Sequence, residues 1–240
     1  MVTGSLAQSG YFMGHECWPG RDSNPKGFFE DREINQINED LLAPLLPARP
    51  RGFLKRFFRH RFVNMQRWLA RIPVGTPVSA SKEVAARIQK MTGCTPYCFK
   101  DPRFCYTLPA WRPHLGEARY VVVFRNPATT TKSILKECRE EKYLQGLAIN
   151  MDQALTGWTL MYQHILETHR HSGEWLWLHY NQVLQPEGLN RLEAFAEAPV
   201  DRTFPDAALQ RSMSNLPVPA ATQSTYQQLC DLAAYREVAE

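Results

Sequence analysis

Five consecutive residues, Tyr120, Val121, Val122, Val123 and Phe124, constrain this chain more than any other segment. A continuous β-branched and aromatic run offers no polar face to water, so it fits a strand buried on both sides, as in a parallel sheet covered by helices. A helix start follows at once. Asn126 suits an N-cap and Pro127 suits the first helical position, where a missing N–H costs nothing.

The rest of the chain alternates around this junction. Ile34, Ile37, Leu41, Leu42 and Leu45 recur at helical spacing before Pro47 and Pro50. Residues 53–72 read as a second helix, with Phe57, Phe58, Phe62, Met65, Trp68 and Leu69 as its apolar positions and arginines between them. Residues 79–91 predict a helix with Ser81 as N-cap, and 97–99 a short strand. A long helix over 144–171, a strand over 175–180 and helices over 188–196 and 222–236 complete the pattern. Strands alternating with helices predict a three-layer α/β/α fold with a central, mostly parallel sheet. The 240 residues read as a single domain, with 47–95 as a basic, helical, cap-like insertion.

With 44% hydrophobic and 22% charged residues, the composition is that of a folded chain rather than a disordered one. No apolar run approaches the roughly 20 residues of a membrane-spanning helix. The first ten residues lack the basic flank and apolar stretch of a secretory signal, so the expected compartment is the cytoplasm. The six cysteines are neither dense nor spaced as zinc ligands, which predicts reduced thiols and no metal. The net charge is only +4, yet eight basic residues and no acid fall between Arg49 and Arg71. Such a stretch attracts anions: nucleic acid, an acidic membrane surface, a sulfated or phosphorylated ligand, or only water around a helix face.

Three constellations could carry chemistry. At the junction after Phe124, Arg125 offers a planar fork suited to phosphate beside a helix N-terminus, and Asn126, Thr129 and Ser133 share one helix face. The plain alternative is an arginine paired to a carboxylate beside a capped helix. Lys100, Asp101, Pro102 and Arg103 follow the strand expected at 97–99, where ligands of open α/β sheets bind. Lys100 could stabilise a leaving oxygen there, and Asp101 and Arg103 could orient or bind a substrate; the alternative is a local salt-bridge cluster. Glu30 and Asp31 stand at a helix entry, where they either cap it or, as one of them or Glu16, accept a proton from a hydroxyl.

Gly10 to Gly14 (GYFMG), Asn24 to Asp31 (NPKGFFED), Lys100 to Arg103 (KDPR) and the FRNP of 124–127 with Ser133 together resemble the bacterial branch of the sulfotransferase family, in order and spacing. The resemblance implies a P-loop-like α/β fold and transfer of a sulfuryl group from 3′-phosphoadenosine 5′-phosphosulfate (PAPS) to a hydroxyl or amine, without a metal. It implies that Arg125 and Ser133, with Asn126 and Thr129, hold the 3′-phosphate. Glu30 would then be the first candidate base, ahead of Glu16 and Asp31, and Lys100 a stabiliser of the leaving group. The family's proline-arginine-serine-glycine-threonine-threonine loop has no counterpart, and Met1 to Leu6 resembles the helix that follows it. The expectation is a chain short of the first central strand and of half the cofactor site, with weak binding and activity of its own. The acceptor would be a small molecule or a glycan, and nucleic acid is not an expected partner. The competing reading is a non-catalytic anion- or nucleic-acid-binding protein that uses 49–71. A P-loop kinase relative is disfavoured, because no G-x-x-x-x-G-K-[ST] sequence occurs.

Overall fold

The structure, a computed structural model, describes residues 1–21, 24–209, 214 and 216–237. In chain order the helices are α1 (Val2–Ser5), α2 (Arg32–Leu42), α3 (Lys82–Thr92), α4 (Phe104–Trp111), α5 (Pro127–Glu140), α6 (Met151–His164), α7 (Tyr180–Val183), α8 (Pro186–Ala196) and α9 (Ala220–Ala233). Strand β1 (Arg119–Phe124) lies between α4 and α5, and β2 (Glu174–His179) between α6 and α7. No helix among the described residues is long and apolar enough to cross a membrane.

The two strands pair in parallel, in register from Arg119 opposite Glu174 to Phe124 opposite His179. The pleat sends alternate residues to opposite faces. Val122, Phe124 and Trp177 pack on one face against Trp158 and Leu166, and against Tyr226, Leu229 and Cys230 of α9. Leu176 and Leu178 pack on the other against Leu6, Val183, Leu189 and Leu192. Helices therefore pack on both faces of the ladder, but the run is not buried throughout: Val122 and Phe124 are, whereas Val123 on the other face is 36% exposed.

The wider central sheet is not formed among the described residues, where the sheet has two strands. Residues 97–99 contribute a single parallel bridge between Phe12 and Tyr97, with Phe12 N–H donating to Pro96 O at 2.7 Å and Cys98 N–H to Phe12 O at 3.0 Å. Gly10 (φ 82°) and Gly14 (φ 122°) turn the chain out of the extended conformation on either side of Phe12, so the pairing cannot lengthen.

The helix expected over 53–72 is also absent. Two short 3-10 turns, Gly52–Phe57 and Arg67–Leu69, stand in its place, separated by irregular chain and a left-handed Met65 (φ 68°). Side chains take the backbone partners that a helix would use. Arg49 Nε donates to Arg61 O at 2.7 Å and Val63 N–H donates to Gln66 Oε1 at 3.3 Å. A continuous helix would also stack like charges at i,i+3 and i,i+4, which is unfavourable.

The expected long helix over 144–171 starts only at Met151, behind a capping box in which Gln153 N–H donates to Asn150 Oδ1 at 2.9 Å. Its last turn widens into a π-turn, Ile165–His169. The alternation gave no sign of α4, because Cys105, Tyr106, Leu108, Ala110 and Trp111 are all buried and leave no polar face to set a period.

Candidate functional site

At the β1–α5 junction, Asn126 does cap the helix: its Oδ1 accepts from Thr129 N–H at 3.2 Å. Thr129 is buried, and its hydroxyl exchanges bonds with the backbone of Ser214, accepting from N–H at 3.1 Å and donating to O at 3.3 Å. Both side chains therefore shape the junction and are already engaged. Arg125 is half-buried, its guanidinium carbon 4.5 Å from the centroid of the Tyr180 ring. Burial lowers its pKa from the ordinary 12.5 and the Tyr180 hydroxyl raises it, which leaves a fixed, partly desolvated cation. Ser133 is exposed two turns into α5, on the face that Asn126 and Thr129 occupy.

Four residues beyond Ser133, on the same face, stands Glu137. Burial raises its pKa above the usual 4.5, and the carboxylates of Glu141 and Glu30 add to the rise while Lys100 opposes it. Tyr143 Oη donates to Glu137 Oε1 at 2.7 Å. Sequence reasoning missed this residue. The only signal was a carboxylate one turn beyond Ser133.

The Lys100 ammonium pairs directly with Glu30. Behind this pair runs an alternating chain of buried polar groups. Asn35 Nδ2 donates to Glu30 Oε2 at 3.4 Å and to Asp101 Oδ2 at 2.7 Å, while Trp18 Nε1 donates to Asn35 Oδ1 at 2.7 Å. Asp101 Oδ1 accepts from Arg103 N–H at 2.7 Å and from its Nη1 at 3.0 Å. Arg103 Nε donates to Glu39 Oε1 at 2.7 Å, and Arg67 Nη1 to Glu39 Oε2 at 2.6 Å.

Asp101 and Arg103, expected to meet a substrate, are thus 6% and 2% exposed and bonded inside the protein. The local salt-bridge cluster describes them; their part is to position Asn35 and through it Glu30. Asp31 is likewise committed, its Oδ1 accepting from Glu33 N–H (2.9 Å) and Ile34 N–H (3.0 Å) and its Oδ2 from Glu16 N–H (2.8 Å). The Glu16 carboxylate is exposed and pairs with Arg32 Nη1 at 2.6 Å. Of the three carboxylates considered as a base, Glu30 alone stands beside Lys100.

Gly14 guards this arrangement. At φ 122°, a Cβ there would lie 2.2 Å from Asp31 Cβ and 2.5 Å from its Oδ2. Gly14→Ala should cost about 2 kcal/mol or more, through backbone strain and loss of the α2 cap. A denaturant midpoint unchanged by the substitution would contradict this packing.

Burial first, then the nearby Lys100 and Lys26, bring the Met1 amine down to about 6; the two lysines are themselves paired, Lys100 with Glu30 and Lys26 with Asp206 at 3.6 Å. Lys26 Nζ itself donates to Phe204 O at 2.6 Å. Among the described residues no group of three or more His, Cys, Asp or Glu side chains could hold a metal ion.

No protein-family model matches the chain, no curated protein matches its sequence, and no solved structure matches its fold.

Proposed function

We propose that this chain binds PAPS and transfers its sulfuryl group to a hydroxyl or amine of a small molecule or glycan. The observation that carries the reading is α5. Arg125 and Asn126 stand at its start, Ser133 follows two turns along, and Glu137, one turn further, feels the charges of Glu30 and Lys100. The cation at the head of this helix and the paired Glu30 and Lys100 are the groups that the resemblance to bacterial sulfotransferases calls for.

Arg125 and the exposed Ser133 hydroxyl suit the 3′-phosphate. At the 5′-phosphosulfate end the family's loop has no counterpart and the cations at hand, Lys100 and Lys26, are paired with Glu30 and Asp206, so binding and transfer by this chain are expected to be weak. PAPS, when bound, supplies an activated sulfuryl group and a phosphate leaving group. Lys100 would neutralise charge on the phosphate oxygen as its bond to sulfur breaks. Glu30 would accept the acceptor's proton as the new sulfur–oxygen or sulfur–nitrogen bond forms, held in place by Asn35, Asp101 and Arg103. Most of the rate gain would come from in-line placement.

Calorimetric titration of 3′-phosphoadenosine 5′-phosphate tests this directly. The unsubstituted protein should bind, and Arg125→Ala should weaken binding by about tenfold or more, the loss expected for a charge-assisted phosphate contact. Ser133→Ala should have a smaller effect in the same direction. No binding by the unsubstituted chain, or equal binding by Arg125→Ala, would overturn the reading. Anion or nucleic-acid binding without catalysis is the competing reading, and its signature is oligonucleotide affinity that falls steeply with salt.

A further inference from the structure

Apart from Arg67, which reaches Glu39, the stretch 49–67 has no part in the chemistry above, yet it holds a conspicuous surface of the molecule. On the 3-10 turn Gly52–Phe57, Phe53 is 67%, Leu54 55% and Phe57 60% exposed. Three large apolar side chains in water within five positions are not explained by folding. The same turn is cationic. Arg51, Lys55, Arg56 and Arg59, with Arg49 and Arg67, line a groove of about 830 Å³.

Cations and rings are interleaved rather than segregated. The Arg56 guanidinium carbon lies 3.4 Å from the Phe53 ring centroid and 4.7 Å from that of Phe57, and the two rings meet edge-to-face at 6.0 Å. The stretch itself contains no acid, and Glu39, the carboxylate that Arg67 reaches, is fully buried and shared with Arg103. The base of the turn is tied down. Ala148 N–H donates to Arg59 O at 2.8 Å and Gln66 Nε2 to Tyr143 O at 2.7 Å, so the apolar tip is presented from a fixed frame.

A water-soluble polyanion would account for the cations and leave Phe53, Leu54 and Phe57 unexplained. A bilayer rich in anionic phospholipid accounts for both, since rings and leucine enter the acyl boundary while guanidinium and ammonium groups stay at the phosphates. We propose that residues 49–59 are a peripheral docking element for an anionic phospholipid bilayer. Docking of this kind is independent of sulfuryl transfer.

Flotation of the full chain with vesicles of phosphatidylcholine alone, and with a third of the lipid replaced by phosphatidylglycerol, tests the proposal. The protein should float with the anionic vesicles only. Phe53→Ser/Phe57→Ser and Arg51→Gln/Lys55→Gln/Arg56→Gln should each lower the partition coefficient by about tenfold or more. Because all five side chains are outside the core, thermal melting should be unchanged in both; should one variant melt early, the other still decides. Failure to float with anionic vesicles would overturn the proposal. So would flotation that survives loss of both rings, which would mark a purely electrostatic site for polyanions.

Discussion

Arg103→Ala should lower the unfolding free energy by about 3–5 kcal/mol, the cost of breaking a buried ion pair from one side. Arg103 sits between Glu39, fully buried, and Asp101, 6% exposed, and is itself 2% exposed. Burial alone would weaken its charge, but the two carboxylates outweigh that and raise its pKa above the ordinary 12.5. Removing it leaves Asp101 with no cation and Glu39 with Arg67 alone. Urea unfolding at neutral pH gives the number. Restoring neutrality with Glu39→Gln in the Arg103→Ala background should recover part of the loss, because an uncharged amide costs less to bury than an unpaired carboxylate. A loss below about 1 kcal/mol would mean that the network is wetter than its burial implies.

Stability should also fall steeply on acidification from pH 6.5 to 4. His169 and His179 are 3% and 2% exposed, and burial is the main reason that both have pKa values lowered to about 4 from the ordinary 6.5. His169 Nε2 lies 2.9 Å from Cys105 O, and His179 stacks on Tyr235 with ring centroids 3.7 Å apart. The unfolded chain takes up these protons below pH 6.5 and the folded chain only near pH 4. The folded state therefore keeps its full advantage above pH 6.5 and loses it as pH drops through that window, on the order of 2 kcal/mol per histidine. Glu137 works in the opposite sense, since its raised pKa lets the folded chain gain a proton first. Urea midpoints at pH 7 and pH 5 should differ, and His169→Gln should flatten the difference. A flat profile in the unsubstituted protein would show that both rings are open to water.

The elements legible in the sequence were those with local causes. The β1 run and the Asn126 cap, like the Ser81 cap of α3, whose hydroxyl accepts from Val84 N–H at 3.3 Å, need only their neighbours in the chain. Elsewhere the outcome depends on distant partners. The arginine-rich segment 53–72 has a helical spacing of apolar residues, but Gln66 and Arg49 capture its backbone and Phe53 and Phe57 stay outside. Asp101 and Arg103 have the composition of a ligand loop, and only the approach of Glu39 and Asn35 from α2 turns them inward. Glu137 was invisible for the same reason: nothing near it in sequence shows that it is buried and that Tyr143 Oη donates to it.

The ladder between β1 and β2 has a kinetic consequence. Every rung joins residues 55 positions apart, from Arg119 with Glu174 to Phe124 with His179, and no hairpin shortens the search. The entropy of closing that loop is spent before the first rung forms, whereas α5 and α6 within it need only local contacts. The helices should therefore precede the strands, and ring stacking of Tyr120 on Trp175, with centroids 4.6 Å apart, should be among the last contacts made and a reporter of strand pairing.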